Sequence, residues 1–169
     1  MRLFFALDVP PKVRANLKQA GGRVPRGESW RWVSPENYHL TLHFLGERKE
    51  EELPEILALG KRLARKHNPF QADCRGLGTF PHRGKPKVLW AGLDGGEALD
   101  SLSIAVGGKG SDHHVTIARR RNGDWGRFQL NDSLQRLAFG QWTVAEFYLI
   151  ESELTSSGPI YTVRKSWEL

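Results

Sequence analysis

Two tetrapeptides of one pattern, His39-Leu40-Thr41-Leu42 and His114-Val115-Thr116-Ile117, decide how this chain folds. Successive side chains of an extended strand alternate between the two faces of a sheet. Each tetrapeptide therefore directs two aliphatic side chains into a core, and a histidine and a threonine toward a cleft or water. A chain that does this twice offers two imidazoles and two hydroxyls to one ligand. Two imidazoles can supply an acid and a base near neutral pH.

Strand and helix signals alternate around these motifs, which predicts an α+β fold. The motifs lie near the middle of the two halves of the chain. We therefore expect a bilobal, pseudo-duplicated architecture with antiparallel or mixed sheets, outer helices and a central cleft. No low-complexity linker separates the halves, so residues 1–169 are expected to form a single two-lobed domain. The predicted strands are 2–9, 38–45, 70–77, 88–93, 114–119, 143–154 and 160–168, and the predicted helices are 11–20, 50–67, 97–106 and 131–139, with a loop over 23–36.

The charge balance favours an anionic partner. The net charge is +6 and the sequence pI is near 9.7, which makes nucleic acid the first candidate. Cys74 is the only cysteine, so an intramolecular disulfide and a cysteine-based zinc site are excluded, and a reducing cytoplasm is the expected compartment. The apolar run at residues 1–9 is broken by Asp8, and we expect neither a signal peptide nor a membrane span there.

The motifs favour acid/base chemistry on a phosphate over the alternatives. His39 and His43 stand too far apart on a strand for a compact chelate, and neither motif contains a carboxylate, so we predict no metal site and no cofactor. No serine or cysteine nucleophile signature accompanies them. Threonine hydroxyls can bind phosphoryl oxygens, and opposed imidazoles can deprotonate water and protonate a leaving oxygen. A cyclic phosphodiester suits this set, because its ring strain lowers the demand for a metal.

Several other residues are candidates for the substrate rim. Arg31 and the loop 82–87 could contact a nucleic acid backbone, and Trp30, Trp32 and Phe44 could stack on bases. Alternation places Phe44 with the core side chains and His43 on the cleft face, so core packing is the favoured role for Phe44 and a secondary phosphate contact is open to His43. His113 is interpreted as a rim residue, and Trp125 and Trp142 as packing residues. In the run 119–121, Arg119 shares a face with the second motif only if the strand ends or bulges after Ala118.

Blocks of sequence across nearly the whole chain resemble one known family. They are RLFFALDVPPKVRANL at 2–17, WVSPENYHLTLHFLGE at 32–47, VLWAGL at 88–93, HVTIAR at 114–119 and FYLIESELTSSGPIYTV at 147–163. With two motifs in this order, the chain resembles the two-histidine phosphoesterase superfamily. Within it, the bacterial RNA 2',3'-cyclic phosphodiesterases, also called 2'-5' RNA ligase-like proteins, are the most similar group. The chain departs from them in a short, glycine-rich stretch at 93–112 and in His113, which stands where proline is common.

The resemblance implies hydrolysis of a terminal 2',3'-cyclic phosphate of RNA to a 2'-phosphate, without metal or cofactor. It implies that His39 and His114 are the catalytic acid/base pair. Our own assignment within that pair is His39 as the acid toward the O3' leaving group and His114 as the base toward water, which the sequence alone does not decide. Thr41 and Thr116 would hold the phosphate, and Arg119 would stack on the terminal base. RNA ends or small cyclic nucleotides would be the partners of a cytoplasmic monomer. Two alternatives stay open: 2'-5' RNA ligation by the reverse-type reaction, and a non-catalytic RNA-binding module.

Overall fold

The computed structural model describes residues 1–24, 30–120 and 129–169. Arg121 of the basic run and Trp125, predicted as a packing residue, lie outside these ranges. In chain order the elements are β1 (Arg2–Asp8), α1 (Pro11–Gly21), β2 (Trp30–Trp32), β3 (His39–Glu47), α2 (Leu53–Ala64), β4 (Phe70–Phe80), β5 (Val88–Asp94), α3 (Gly96–Ala105), β6 (His114–Arg120), α4 (Asp132–Arg136), β7 (Ala138–Val144), β8 (Glu146–Thr155) and β9 (Gly158–Glu168). Two short 3-10 helices cover Pro35–Asn37 and Glu50–Glu52.

All strand pairs in the described ranges are antiparallel, in the order β7-β4-β5-β6-β3-β1-β8-β9, with β2 paired to β6. The two motif strands, β3 and β6, meet in the middle of this order. Their register contains the single pair Leu40 and Val115, whereas the other pairs of neighbouring strands share three or more. This narrow junction divides the sheet into a first-motif half (β3-β1-β8-β9) and a second-motif half (β6-β5-β4-β7, with β2). The predicted α+β, pseudo-duplicated architecture is confirmed.

The aliphatic half of each motif lies in the core, as the alternation predicts. Leu40, Val115 and Ile117 have no exposed surface, and Leu42 is 4% exposed. The helices add apolar faces to this core: α1 begins at a proline suited to its first turn and buries Val13, Leu17 and Ala20. Burial of this kind contributes roughly 1.5–3 kcal/mol for each large aliphatic side chain. The polar half of each motif is thereby left on the opposite surface.

The C-terminal third differs from its sequence prediction. The helix expected over 131–139 begins at an Asn131 cap and ends at Arg136, because the next residue already has an extended backbone. The strand expected over 143–154 is two strands, β7 and β8, with a break at Ala145. The first of these pairs with β4, a long-range contact that local sequence does not reveal. The predicted loop at 23–36 contains β2, which is held by its pairing to β6.

Candidate active site

A cleft of about 590 Å³ lies over the junction of the two halves. Both motif histidines, both motif threonines and Arg119 line it. The full lining comprises Arg2, Phe4, Arg31, Trp32, Val33, Ser34, Asn37, His39, Thr41, Phe44, His114, Thr116, Arg119, Ser152, Leu154, Ser157, Gly158, Pro159, Ile160 and Tyr161. The structure thus brings together all five residues proposed from the sequence.

The register of the two central strands explains how the motifs meet. Leu40 pairs with Val115, and both side chains point into the core. Extending this antiparallel register by one residue in each direction sets His39 across from Thr116 and His114 across from Thr41. Each histidine therefore faces the threonine of the other motif. The four polar groups form one diagonal arrangement rather than two separate pairs.

A β-bulge in β6 brings Arg119 into this arrangement. Leu89 of β5 pairs with Ala118, and the next β5 residue pairs with Thr116. Ile117 is therefore the extra residue of a bulge, which shifts the alternation of the side chains that follow it. Ile117 and Ala118 are both buried in succession, and Arg119 emerges on the cleft side. The strand pattern required a break after Ala118, and the bulge lies one residue earlier, at Ile117.

The first motif also contains a β-bulge, and this bulge contradicts the positions expected for His43 and Phe44. Phe5 of β1 pairs with His43, and the next β1 residue pairs with Thr41, so Leu42 is the extra residue of a bulge. Phe44 was expected in the core, but it is 46% exposed and lines the cleft. His43 was expected on the cleft face and is not among the lining residues. Both expectations were wrong, because strict alternation fails at a bulge.

The surroundings of His43 agree with this correction. Its imidazole lies against Gly107, just beyond α3, where a Cβ would stand 3.0 Å from the His43 Nε2. Gly107 also has φ 101°, a conformation suited to glycine. His43 therefore packs behind the cleft, against the turn that follows α3.

Both motif histidines are oriented by a backbone carbonyl two residues upstream. His39 Nδ1 lies 2.8 Å from the Asn37 carbonyl oxygen, and His114 Nδ1 lies 2.6 Å from that of Asp112. A carbonyl only accepts, so each Nδ1 carries the hydrogen and donates it. The neutral imidazole then presents an unprotonated Nε2 to the cleft, and the charged form presents an Nε2–H. Asp112 reaches its position with φ 55°, which aspartate tolerates better than most residues.

Aromatic rings fix both imidazoles from the side. His39 lies 5.0 Å from the rings of Phe4 and Tyr161, the latter edge-on at 81°. His114 lies 5.0 Å from Phe80, also edge-on at 77°, and 6.3 Å from Trp90. With Nδ1 tied to the backbone and the ring plane held by its neighbours, neither imidazole is free to rotate.

Burial lowers the pKa of both His39 and His114 below the ordinary value of 6.5. The hydrogen bond to the backbone carbonyl opposes this effect in each case, and the positive charge of Arg119 adds to it. Arg119, which lines the same cleft, thus acts electrostatically on both imidazoles. The free site therefore favours neutral imidazoles at pH 7.

The cleft is cationic. Arg2, Arg31 and Arg119 line it, and the described lining residues include no aspartate or glutamate. The hydroxyls of Thr41 and Thr116 take part in no hydrogen bond with another described residue, so they are available to a ligand. An anion with several acceptor oxygens matches this set of donors.

Other candidates from the sequence occupy different positions. Trp32 lines the cleft, but Trp30 is 6% exposed and belongs to the core, so a stacking role for Trp30 is wrong. His113 is not a rim residue: its side chain is 8% exposed, and its Nε2 lies 2.9 Å from Asp100 Oδ1 of α3. Cys74 is buried in β4, and burial raises its pKa to about 12, as expected for a packing residue rather than a nucleophile.

Sequence reasoning missed Arg2 and Tyr161, which close the first-motif side of the cleft. Arg2 lies over the Phe44 ring with its Cζ 4.9 Å from the centroid. The signal for Tyr161 was present in the C-terminal block of the family resemblance, but nothing local marked it as a cleft residue. Within the described ranges, no three histidine, cysteine or carboxylate side chains cluster in a way that could hold a metal ion. None of the described helices is long and apolar enough to cross a membrane.

A sheet that presents two histidine–threonine strands to one cationic cleft defines the class of two-histidine phosphoesterases. Residues 7–90 match the family model described as LigT-like phosphoesterase. A Thermus thermophilus protein named RNA 2',3'-cyclic phosphodiesterase is 41% identical over 186 positions, which cover 100% of this chain and 90% of that protein. The chain belongs to the LigT-like phosphoesterase family.

Solved structures agree with this assignment. A crystal structure of a Thermus thermophilus protein has a TM-score of 0.86 and 39% identity, covering 100% of this chain and 98% of that one. The crystal structure of E. coli LigT complexed with phosphate has a TM-score of 0.81 and 26% identity, covering 99% and 96%. The fold of this chain is therefore that of its family over its full length.

Proposed function

We propose that this protein hydrolyses the 2',3'-cyclic phosphate at the 3' end of an RNA to a 2'-phosphate, with His39 and His114 as its acid/base pair and without a metal. The observation that carries the proposal is the matched pair of imidazoles. Each has its Nδ1 fixed by a backbone carbonyl, presents Nε2 to the same cleft, and faces a threonine whose hydroxyl forms no hydrogen bond with a described residue. Relatives across the chain are named RNA 2',3'-cyclic phosphodiesterase, which supports the same activity here.

The reaction needs one imidazole in each protonation state. Neutral His114 accepts a proton from water as the water oxygen forms a bond to phosphorus. Charged His39 donates its Nε2 proton to O3' as the P–O3' bond breaks. One water is consumed, and the product keeps its phosphate on O2'. Each general acid or base contributes roughly 10²–10⁴-fold to the rate.

Thr41, Thr116 and Arg119 form the phosphate site in this proposal. The two hydroxyls lie diagonal to the histidines and donate to the non-bridging oxygens. Arg119, whose charge reaches both imidazoles, neutralises the charge that develops on phosphorus-bound oxygens in the transition state. In this proposal Arg119 contacts the phosphate, in place of the base-stacking role that the family resemblance implied. The relative E. coli LigT has been crystallised in complex with phosphate, which supports a phosphate site here.

In this proposal the terminal base packs against the exposed part of the Phe44 ring. Its ring lies parallel to Phe4, with centroids 5.8 Å apart and an angle of 6°, and the guanidinium of Arg2 lies over it. Phe44 nevertheless stays 46% exposed on the cleft. Stacking of a base on an aromatic ring is worth roughly 1–3 kcal/mol and tolerates any base.

Substrate binding also prepares the acid. In the free site burial keeps both imidazoles neutral at pH 7, and the negative charge of a bound phosphodiester favours the protonated form of the nearer one. The complex therefore takes up a proton as it forms. The described residues of one chain supply both motifs, so we propose that residues 1–169 act as a single two-lobed, monomeric domain. We also propose a cytoplasmic location, which the single cysteine, Cys74, supports.

The test is incubation of the purified protein, in EDTA, with a short RNA that ends in a 2',3'-cyclic phosphate. Chromatography and phosphatase sensitivity report the position of the phosphate in the product. A 2'-phosphate formed in EDTA supports the proposal, and a 3'-phosphate would overturn the assigned leaving group. A second RNA with a 5'-hydroxyl, added to the same reaction, reports ligation, which the names of the relatives do not favour. Binding without any product would favour the RNA-binding module.

A further inference from the structure

A row of paired residues leads out of the cleft across the second-motif half. Arg31 of β2 pairs with Arg119 of β6, and Arg119 also pairs with Val88 of β5. Val88 in turn pairs with Phe80, the last residue of β4. Directly paired residues share one face of a sheet, so the row Arg31–Arg119–Val88–Phe80 lies on the cleft side. Neighbouring strands are about 4.8 Å apart, so the row extends roughly 10 Å from Arg119 to Phe80.

Aromatic contacts follow the same path. Phe80 lies 5.0 Å from the ring of His114 on one side and 5.1 Å from the ring of His82 on the other, edge-on in both cases. Trp90 packs beside Phe80 with ring centroids 5.1 Å apart. Gly78 accommodates this indole, because a Cβ at that position would clash with it. The catalytic imidazole is thus connected to the β4–β5 loop by a continuous layer of rings.

The β4–β5 loop at the end of this layer is strongly basic. His82, Arg83, Lys85 and Lys87 are all exposed, and none of them forms an ion pair with a described residue. The stretch 80–93 contains no acidic residue. Its charge is therefore not neutralised within the described part of the chain, and it adjoins the cationic cleft through Arg119 and Arg31.

We propose that residues 82–87, which we term the basic loop, bind the phosphates of the nucleotides that precede the cyclic end. This inference rests on the proposed function and specifies its substrate as a single-stranded RNA chain rather than a mononucleotide. The terminal nucleotide occupies the cleft, and the upstream strand passes over the aromatic layer to the basic loop. A polyanion with stackable bases matches both features, since cationic grooves with aromatic surfaces are the usual single-strand sites.

The experiment compares cyclic mononucleotide with RNAs of two, four, six and ten nucleotides that carry the same cyclic end. The variant is Arg83→Ala/Lys85→Ala. The control is Lys61→Ala/Arg62→Ala, which removes the same charge from exposed positions of α2, a helix packed on β9. We expect kcat/KM of the wild type to rise with length and then level off. Exposed charge contacts are worth roughly 0.2–1 kcal/mol each, so the loss of two should lower kcat/KM of the loop variant by about 2- to 30-fold on the ten-nucleotide RNA, mostly through KM.

Hydrolysis of the cyclic mononucleotide tests the proposed function independently of the basic loop. The loop variant should hydrolyse the mononucleotide at the wild-type rate. For the ten-nucleotide RNA, the slope of log KM against log salt concentration should be smaller in the loop variant by about one or two. Equal kcat/KM for all lengths, or equal losses in the loop variant and the α2 control, would overturn the role of the basic loop while the proposed function stands. Absence of hydrolysis on every substrate would overturn the proposed function itself.

Discussion

The two halves of the sheet hold their motifs in the same local geometry and differ in one side chain that follows each motif. Each presents a histidine whose Nδ1 binds the carbonyl two residues upstream, then a buried aliphatic residue, then a threonine. Each then has a bulge at the fourth motif residue, Leu42 or Ile117. The bulge returns the residue three places after the threonine to the cleft, and this residue is Phe44 in one half and Arg119 in the other.

The difference between Phe44 and Arg119 shows how the same backbone geometry, used twice, can present two different side chains to one cleft. The same bulge at the same motif position delivers an apolar ring on one side and a positive charge on the other. In the function proposed here, the first-motif half binds the terminal base through Phe44, and the second-motif half neutralises the phosphate through Arg119. The two imidazoles have the same local geometry and both feel the charge of Arg119, so in the proposed reaction they are distinguished by the substrate oxygen that each one faces.

Removal of either imidazole should produce the largest effect. We expect His39→Ala and His114→Ala each to lower kcat on a cyclic-ended RNA by roughly 10²–10⁴-fold, because each variant lacks one proton carrier. Steady-state rates measure this effect, and thermal melting checks that the variants fold. His43→Ala is the matched control, since His43 lies on the same strand behind the cleft, and it should keep near-wild-type kcat. A loss in His43→Ala as large as in His39→Ala would contradict the bulge at Leu42.

Arg119→Ala should give the next largest effect. Hydrogen bonds to charged groups contribute roughly 1.5–3 kcal/mol, so kcat/KM should fall by about 10- to 100-fold, mainly in kcat. Arg119→Lys should recover part of the loss, because it restores the charge without the bidentate geometry. A defect that appears only in KM, and only on substrates that carry a terminal base, would instead support base stacking by Arg119.

Phe44→Ala should be milder and should act on binding. Loss of roughly 1–3 kcal/mol of stacking would raise KM by about 5- to 100-fold with a smaller change in kcat. A substrate with an abasic terminal ribose cyclic phosphate sharpens this comparison. Wild type and Phe44→Ala should process it equally, whereas Arg119→Ala should remain defective. If Phe44→Ala were equally defective on both substrates, the ring would serve the fold of the site rather than the base.

The smallest expected effect is a shift of the pH optimum of the wild-type enzyme. Both imidazoles have pKa values below 6.5 in the free protein, and activity requires one charged and one neutral. The bell-shaped profile of kcat/KM should therefore peak below pH 6.5 and decline as pH rises through the lowered pKa of the acid. The kcat profile should peak at higher pH, because bound phosphate favours the charged imidazole. A kcat/KM maximum above pH 6.5 would contradict burial as the dominant influence.

The sequence predicted the parts of the site that depend on alternation and failed where alternation breaks. His39, Thr41, His114 and Thr116 follow from two short patterns, and most element positions follow from turn residues and periodicity. The bulges do not, because Leu42 and Ile117 are ordinary strand residues and the pairing that leaves them unopposed comes from β1 and β5. Phe44, His43 and the route by which Arg119 reaches the cleft could therefore be read only from the sheet register.

The strands β2 and β7 were missed for a related reason. Both are stabilised by partners distant in sequence, β6 and β4, and β2 is only three residues long. Trp30 is likewise of a residue type that can stack on bases, but the pairing of β2 with β6 directs its side chain into the core. In each of these cases the decisive contact is long-range, and local propensity carries little information about it.

Each half of the sheet is proposed to contribute one proton carrier, and the pH profiles of the single-histidine variants test this most directly. Initial rates on a cyclic-ended RNA give kcat/KM against pH for the wild type, His39→Ala and His114→Ala. We predict that His39→Ala loses only the alkaline decline, because its acid is gone, and that His114→Ala loses only the acidic decline. A variant that keeps both limbs of the bell would show that the histidine it lacks carries no proton in the reaction.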